Sequence, residues 1–313
     1  MSFSPAPADI HARIWVDLPN QLGWTKRDNA LVQKFVGKPA HSFLEGPAFD
    51  REGILYVVNF AFGEVVKITP DGTASILCQY DGAPNGLQVG SDGTIYITDR
   101  LRGVMCVDPH TGTIKLHCGP DRSPVGFAGL SDLTIAGNGD IYFTDQGDSH
   151  LLAPTGRLFR LKPSGRLDIV MEGLPGPNGV VLNPAETHVF VAITYGPAVW
   201  RGRVGDDGPA DKVGVFQTLP GGYSGTDGLA MDVDGGLAAC HNRLGTVWLF
   251  DPDGEPRYRV RSPADAGRKI TNVAYGGPGN SMLFMTEVES GCILVADAPV
   301  AGLLTVGQAD RRV

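Results

Sequence analysis

The feature that most constrains the fold of this chain is a motif that occurs six times, at intervals of 40 to 49 residues. In each copy a polar residue precedes a short apolar segment, a turn follows, and a second apolar segment runs back. The first copy reads Leu44-Glu45-Gly46-Pro47-Ala48-Phe49-Asp50 and continues through Arg51-Glu52-Gly53 into Ile54-Leu55-Tyr56-Val57-Val58. The polar residues that mark the six copies are Glu45, Asn85, Ser131, Asn178, Asp227 and Asn272.

Each copy carries turn signals that separate four short strands. In the first copy the opening hairpin is followed by Glu64-Val65-Val66-Lys67-Ile68 and Thr73-Ala74-Ser75-Ile76-Leu77, joined by a Pro-Asp-Gly turn. A period of about 40 to 50 residues with four strands per repeat is typical of β-propellers. The sequence therefore predicts an all-β, six-bladed β-propeller with four-stranded blades over residues 41–313. Residues 1–40 are interpreted as an N-terminal extension, in which a strand around Ile14 to Leu18 could pair with the last blade.

The composition indicates which kinds of partner the protein can bind and in which cellular compartment it is expected. The net charge is -8 at a pI near 5.3, and no Lys/Arg cluster provides the basic face that nucleic acid requires. No run of 18 apolar residues suggests a membrane span, and the N-terminus lacks the basic and apolar regions of a signal peptide. Five scattered cysteines without a Cys-x-x-Cys pair suggest free thiols. We expect a cytoplasmic protein without nucleic-acid or membrane partners.

The repeat also predicts a polar site on the axis of the propeller. The first strand of each blade lines the central channel, so the six polar markers are expected to converge there. Polar groups that meet in a buried channel require partners, because an unpaired buried donor or acceptor is costly. Two carboxylates and three amides among the markers provide oxygen ligands that suit Ca²⁺, Mg²⁺ or Mn²⁺.

The second strand of each blade returns to the same end, which predicts an outer polar ring around the first. We expect this ring, with Tyr195 beside it, to form the wall of a pocket mouth. Tyr195 and His241 are candidate substrate contacts, although a lone histidine is more often structural. Asp99, Asp145 and Glu287 are interpreted more readily as hydrogen-bonding groups between blades. The predicted outer ring consists of Asn59, Asp99, Asp145, Thr194, His241 and Glu287.

Several motifs together resemble the family of senescence marker protein 30, gluconolactonase and luciferin-regenerating enzyme. The resemblance extends over residues 41–300, and it depends on the combination, since each motif alone is weak. The motifs that carry it are Glu45-Gly46-Pro47, Pro84-Asn85-Gly86-Leu87, Tyr142-Phe143-Thr144-Asp145, Pro177-Asn178-Gly179, Asp227-Gly228-Leu229, Thr271-Asn272-Val273 with Gly276-Gly277-Pro278, and Thr286-Glu287 with Gly291.

The resemblance implies a six-bladed propeller with one divalent metal ion in its axial channel. The family holds the ion with a Glu of the first blade, an Asn of the fourth and an Asp of the fifth, which correspond to Glu45, Asn178 and Asp227. Ca²⁺ is favoured, with Zn²⁺, Mg²⁺ and Mn²⁺ as alternatives. The implied activity is hydrolysis of a small-molecule lactone, and a more distant relative hydrolyses organophosphates with calcium on the same scaffold.

A mechanism follows as a hypothesis. The metal would polarise the lactone carbonyl and lower the pKa of a bound water, and Asp227 would accept the proton through its second oxygen. Asn85 and Asn272 would hold substrate oxygens or orient water, and Ser131 and Asp132 would face the substrate. Many sugar lactonases of the family have Asn-Asp where this chain has Ser131-Asp132. The shorter serine therefore disfavours an aldonolactone as the natural substrate.

Two other functions stay open at this point. A propeller can serve as an interaction module, because fold alone does not determine function. The polar axial ring argues against that alternative, since a scaffold needs no such ring. The same metal site could also support non-hydrolytic chemistry, as in a lyase or isomerase that acts on a cyclic substrate.

Overall fold

The computed structural model describes residues 6–25, 27–35, 40–221 and 225–309 of the chain. Over these residues it is an all-β, six-bladed β-propeller, and the prediction of six four-stranded blades is confirmed. The N-terminal segment contains β1 (Ala8–His11), β2 (Arg13–Asp17), α1 (Leu18–Leu22) and α2 (Ala30–Phe35). The expected boundary at residue 40 adjoins residues 36–39, which lie outside the described residues.

The blades follow one another along the chain, and within each blade consecutive strands pair antiparallel. Blade 1 consists of β3 (Leu44–Phe49), β4 (Leu55–Asn59), β5 (Glu64–Ile68) and β6 (Ala74–Gln79). Blade 2 consists of β7 (Pro84–Val89), β8 (Ile95–Asp99), β9 (Gly103–Val107) and β10 (Ile114–Cys118). Blade 3 consists of β11 (Leu130–Ile135), β12 (Ile141–Asp145), β13 (Gly156–Leu161) and β14 (Leu167–Leu174).

The second half of the propeller repeats this order. Blade 4 consists of β15 (Pro177–Leu182), β16 (His188–Ile193), β17 (Ala198–Arg203) and β18 (Asp211–Thr218). Blade 5 consists of β19 (Thr226–Met231), β20 (Leu237–His241), β21 (Thr246–Phe250) and β22 (Pro256–Arg261). Blade 6 supplies three strands of its own: β23 (Ile270–Gly276), β24 (Met282–Glu287) and β25 (Cys292–Asp297).

The N-terminal segment completes the ring of blades. Strand β2 pairs antiparallel with β25 and becomes the outermost strand of blade 6. Strand β1 pairs parallel with β22 at the outer edge of blade 5. The two N-terminal strands therefore cover the outer edges of blades 5 and 6, and the backbone hydrogen bonds between β2 and β25 close the propeller.

Aspartate side chains shape the hairpin turns between the first and second strands. In blade 1, Asp50 Oδ1 accepts hydrogen bonds from the backbone N–H groups of Glu52 and Ile54, at 3.0 and 2.9 Å. Asp232 does the same in blade 5 for Asp234 and Gly236. Such side-chain-to-backbone bonds are the reason that Asp favours turns.

The hydrophobic core lies between the blades rather than on the axis. One cluster joins Tyr56 and Val58 of blade 1 to Leu87 and Ile97 of blade 2, and all four side chains are buried. Blades 6 and 1 meet through Phe284 and Phe49, whose ring centroids lie 4.9 Å apart at an edge-to-face angle. The apolar side chains pack between neighbouring blades, and polar side chains line the axial channel. None of the described helices is long and apolar enough to cross a membrane.

Candidate active site

A β-bulge at the start of each innermost strand builds the polar ring. In every blade the pairing between the first and second strands shifts by one residue within the first three or four residues of the first strand. In blade 2, for example, Pro84 pairs with Asp99 but Leu87 pairs with Ile97, so Asn85 and Gly86 share one opposing residue. A bulge re-aims side chains and often marks a functional site.

The bulges create two levels of residues along the channel, and this corrects the predicted single ring. The first level contains Thr271 from blade 6, because Ile270 pairs with Glu287 as Leu44 pairs with Asn59 in blade 1. Asn272, predicted as the sixth marker, lies one position further along, level with Asp132. The first level consists of Glu45, Asn85, Ser131, Asn178, Asp227 and Thr271. The second level consists of Gly46, Gly86, Asp132, Gly179, Gly228 and Asn272.

Threonine hydroxyls tie neighbouring blades together beside the first level. Thr98 donates to the Ser131 carbonyl at 2.6 Å, and Thr144 donates to the Asn178 carbonyl at 2.7 Å. Thr194 donates to the Thr226 carbonyl at 3.0 Å, directly before Asp227. Each bond fixes the backbone of one first-level residue or its neighbour to the preceding blade. The ring is therefore held by blade-to-blade contacts as well as by the bulges.

Two side chains on the second level meet across the channel. Asn272 Nδ2 donates to Asp132 Oδ2 at 3.3 Å and lies 3.5 Å from Glu45 Oε2. Glycines make room for these side chains: a Cβ on Gly86 would lie 2.6 Å from Asp132 Cα, and one on Gly228 would lie 2.6 Å from Asn272 Cα. Asp132 and Asn272 thus form a bridge between blade 3 and blade 6.

This bridge separates the first level from a wide cavity at the other end of the channel. The cavity has a volume of about 860 Å³, and its walls combine apolar residues such as Phe49 and Met231 with polar ones such as Gln88 and Glu186. The C-terminal stretch around Leu303 and Leu304 also lines it. Glu45, Asn178 and Asp227 are not among its lining residues. The first level therefore belongs to the opposite face of the propeller, which we call the site face.

Three buried carboxylates lie close enough to disfavour one another's charge. Burial raises the pKa of Glu45 well above its usual value, and the Asp227 and Asp132 carboxylates add to the effect. Burial, with a smaller contribution from Asp132, raises the pKa of Asp227 to about 7, although the hydrogen bond from Asn242 and the nearby Asn178 amide oppose it. Burial raises the pKa of Asp132 to about 7 as well. Such a cluster is an environment that a cation would stabilise.

Asp227 has one oxygen bound and one without a hydrogen bond. Its Oδ2 accepts a hydrogen bond from Asn242 Nδ2 at 2.5 Å, whereas its buried Oδ1 has no hydrogen-bond partner. The mechanistic hypothesis assumed that the second oxygen of Asp227 is free, but this oxygen accepts the hydrogen bond from Asn242. Sequence reasoning missed Asn242, which follows His241 directly after β20; its only signal was that it adjoins the predicted outer ring.

The neighbouring amide is oriented by two hydroxyls. Asn178 Oδ1 accepts a hydrogen bond from Ser131 Oγ at 3.0 Å, and Asn178 Nδ2 donates to Thr194 Oγ1 at 3.4 Å. One lone pair of Oδ1 remains for a further ligand. Ser131 therefore lies beside Asn178, while Asn85 is half-buried on the same level.

The residues present fit an oxygen-coordinated divalent cation. The unpartnered Asp227 Oδ1, the buried Glu45 carboxylate and the Asn178 amide oxygen form a donor set of hard oxygen ligands. Ca²⁺, Mg²⁺ and Mn²⁺ suit such ligands better than Zn²⁺, which prefers nitrogen and sulfur. Across the described ranges, no group of three His, Cys, Asp or Glu side chains is arranged to hold a metal ion. A site here would therefore depend on the Asn178 amide.

The predicted outer ring is mostly structural. Asp99 accepts hydrogen bonds from the backbone N–H groups of Ala83 and Leu101, both at 2.8 Å, and Asp145 similarly binds the N–H groups of Ala128 and Gly129. These bonds lie within one blade, but the hydroxyl of Tyr80, at the end of blade 1, also donates to Asp99 Oδ2 at 2.8 Å and forms a bond between blades, as the sequence suggested. The carboxylates are fully buried and do not form the wall of a pocket mouth.

Two further members of the outer ring, Glu287 and His241, are buried, whereas Tyr195 beside the ring is exposed. Glu287 is fully buried and accepts hydrogen bonds from the backbone N–H groups of Lys269 and Ser290. His241 is also fully buried, and the Trp248 indole N–H lies 3.3 Å from its Nδ1. Tyr195 is half-exposed at the mouth of the site. Tyr195 and His241 were the two predicted substrate contacts of this region, and of these two Tyr195 is accessible to a ligand from solvent.

Known proteins share both the fold and part of the sequence. A gluconolactonase of Zymomonas mobilis is 27% identical over 270 residues, which cover 76% of this chain and 74% of that protein. The diisopropyl-fluorophosphatase of Loligo vulgaris is 24% identical over 279 residues, which cover 80% and 87% of the two chains. The crystal structure of a calcium-binding protein, regucalcin, from Agrobacterium tumefaciens shares the fold with a TM-score of 0.77 at 19% identity, over 96% of this chain and 98% of the other. The sequence model of the SMP-30/gluconolactonase/LRE-like region matches residues 43–289, and the chain belongs to this family.

Proposed function

We propose that this protein is a divalent-metal-dependent lactonase that opens a cyclic ester with water. The observation that carries the proposal is the unpartnered Oδ1 of Asp227, which is buried beside the Glu45 and Asp132 carboxylates. A buried carboxylate oxygen without a hydrogen-bond donor requires a ligand. Membership of the family and the similarity to a gluconolactonase support lactone hydrolysis as the reaction.

Glu45, Asn178 and Asp227 are the proposed metal ligands, with Ca²⁺ favoured by the oxygen donors and by the calcium-binding structural relative. When bound, the ion would supply Lewis-acid polarisation of the lactone carbonyl oxygen and lower the pKa of a water molecule. Asp227 would hold the ion through Oδ1. Zn²⁺, Mg²⁺ and Mn²⁺ are the alternatives that a metal titration separates.

Asp227 is also the proposed proton acceptor. Oδ2 has one lone pair left beside the Asn242 hydrogen bond, and we assign the proton of the attacking water to that position. Water oxygen bonds to the carbonyl carbon, the ring C–O bond breaks, and the leaving ring oxygen takes up the proton. The product is the open hydroxy acid, and Asp227 returns to its starting state.

The half-buried Asn85 is proposed to hold substrate oxygens, together with Ser131 on the same level. Asp132 and Asn272, which close the channel beneath the first level, would keep the site shallow and orient water above them. His241 is buried inside blade 5 and is proposed to support Asn242 through the chain rather than to contact the substrate. Five free cysteines are compatible with a reducing compartment, and a cytoplasmic location is part of the proposal.

The test is a panel of γ- and δ-lactones, with diisopropyl fluorophosphate as a further substrate because of the similarity to the Loligo vulgaris enzyme. Chelator-treated protein is assayed alone and after titration with Ca²⁺, Mg²⁺, Mn²⁺ or Zn²⁺. Lactone hydrolysis that chelation abolishes and one of these ions restores is the expected result.

Two variants connect the activity to the site. Asp227→Asn should lower kcat by about a thousandfold or more, because it removes a ligand and the proton acceptor. Asp71→Asn, at an exposed turn, is the control that should keep full activity. Full activity in Asp227→Asn would exclude the base assignment, and absence of bound metal together with absence of turnover would favour an interaction module. A lyase or isomerase would convert its cyclic substrate without producing a hydroxy acid.

A further inference from the structure

Large apolar side chains are concentrated on one half of the site face. The connections between second and third strands, and those that lead into each first strand, lie at the face where Glu45 and its equivalents stand. Five of the exposed large apolar residues belong to such connections in blades 2 to 4. These five residues, which we call the apolar rim, are Leu101, Val125, Leu151, Leu152 and Tyr195.

Two residues of the apolar rim, Tyr195 and Leu151, adjoin the proposed site. Tyr195 follows Thr194, whose hydroxyl is 3.4 Å from Asn178 Nδ2. The Tyr195 ring lies over Gly176, where an added Cβ would be 2.5 Å from Tyr195 Cδ2, and Gly176 is two residues before Asn178. Leu151 lies against the next residue along, Gly196. An apolar path therefore leads from Asn178 to the surface.

The charged side chains around this path form ion pairs with one another. Asp148, next to the leucines in sequence, lies 3.1 Å from Lys34 Nζ and 3.3 Å from Arg100 Nη2. Arg157, which closes the same loop, pairs with the buried Asp145 at 2.7 Å. Leu151 and Leu152 are meanwhile 64% and 93% exposed, so they present their apolar atoms to solvent without an internal role.

We propose that the apolar rim binds an alkyl or aryl substituent of the lactone, so that the preferred substrates are apolar-substituted lactones rather than polyhydroxylated sugar lactones. The proposal rests on the lactonase function proposed above and specifies its substrate class. Ser131 is short and buried, and its hydroxyl already donates to Asn178 Oδ1, so it provides little hydrogen-bonding reach for sugar hydroxyls. Burial of apolar surface on an open rim supplies the driving force for the substituent.

The first experiment is a series of γ-lactones with side chains from none to eight carbons, assayed below their aggregation limits with the metal-loaded enzyme. Full burial of one CH₂ group corresponds to about a fourfold gain, and a half-open rim should give about twofold per methylene in kcat/KM. Glucono-δ-lactone should be a poorer substrate than γ-decalactone. A flat series, or a preference for the sugar lactone, overturns the proposal.

Variants locate the effect on the rim. Leu151→Ser with Leu152→Ser should lower the ratio of kcat/KM for γ-decalactone over γ-butyrolactone by about fivefold to tenfold. Val215→Ser removes another exposed apolar residue, which lies in the outer strand β18 outside the apolar rim, and should leave both values unchanged. An unchanged ratio in the double variant overturns the assignment of the rim.

A measurement without turnover keeps this proposal distinct from the lactonase proposal. Saturation-transfer NMR with γ-decalactone and the metal-free protein should show stronger saturation on the alkyl protons than on the ring protons, and the double variant should remove the difference. If no lactone is hydrolysed but this contact is seen, the lactonase proposal fails while the rim proposal holds. Absence of alkyl contact, or a change of sedimentation coefficient in the double variant that reveals contact between copies, overturns the rim proposal.

Discussion

Asn272 donates a hydrogen bond to Asp132 across the propeller axis, at 3.3 Å, and thereby joins the sixth blade to the third. The bridge lies directly beneath Glu45, whose Oε2 is 3.5 Å from the same Asn272 amide nitrogen. One neutral donor therefore serves two carboxylates, and the local negative charge is only partly compensated. This imbalance determines how the metal-free protein should respond to pH.

The metal-free protein should lose stability as the pH rises from about 4 to about 7. Burial raises the pKa values of Asp132 and Asp227 from 3.8 to about 7, so the folded state binds more protons than the unfolded chain within this window. The stability is therefore highest below pH 3.8, the pKa of these aspartates in the unfolded chain. It is lost as the pH rises toward about 7, their pKa in the folded protein. We expect a loss of a few kcal/mol, since one pKa unit corresponds to about 1.4 kcal/mol.

Thermal unfolding of chelator-treated protein at pH 4.5, 6 and 8 measures this effect. Saturating Ca²⁺ should remove most of the difference between pH 6 and pH 8, because a bound cation stabilises the ionised carboxylates. Asp132→Asn should make the metal-free curve flatter. A metal-free Tm that rises from pH 4.5 to 8 would contradict the assigned direction of these pKa shifts.

The repeat predicted the blade count and the axial convergence of Glu45, Asn178 and Asp227, because a period near 45 residues with four strands admits few architectures. The two levels could not be predicted, since they depend on bulges that shift pairing by one residue and leave no composition signal. Asn242 was missed for a related reason: it stands outside the regular strands, and only the three-dimensional contact with Asp227 distinguishes it. Asp99 and Asp145 were predicted at the correct strand ends, but their hydrogen bonds to backbone N–H groups within one blade depend on loop conformation.

Asn242 should act as a positioning residue for Asp227. Its hydrogen bond fixes Oδ2 and stabilises the charged carboxylate, so Asn242→Ala should lower kcat/KM by about tenfold to a hundredfold, the usual cost of losing an outer hydrogen-bond partner of a metal ligand. Loss of the donor should also move the acidic limb of the pH–rate profile upward. Asn242→Gln keeps the amide and should recover part of the activity. A merely structural role would lower the yield of folded protein without moving the pH profile.

Ser131→Asn should shift the enzyme toward sugar lactones. The Ser131 hydroxyl donates to Asn178 Oδ1 at 3.0 Å, and an asparagine amide could donate to the same oxygen while reaching further into the site. We expect the ratio of kcat/KM for glucono-δ-lactone over γ-decalactone to rise about tenfold, the effect of one added hydrogen bond to a substrate hydroxyl. Ser131→Ala is the matched control that removes the hydroxyl without adding an amide, and it should not raise the ratio. A ratio that rises equally in both variants would exclude hydrogen bonding as the cause.

Gly228→Ala should disturb the bridge while leaving every polar residue of the site in place. A Cβ at this position would lie 2.6 Å from Asn272 Cα, closer than real Cβ contacts, so the inner strands of blades 5 and 6 must separate. Overpacking of this kind costs about 1–3 kcal/mol, and metal affinity should fall as well because Asp227 is the preceding residue. Gly214→Ala is the matched control, since a Cβ there meets no atom within 4 Å and the residue lies in the outer strand β18. Chemical denaturation and calcium titration of the two variants compare these effects, and equal stability of both would show that the close approach of blades 5 and 6 is not required.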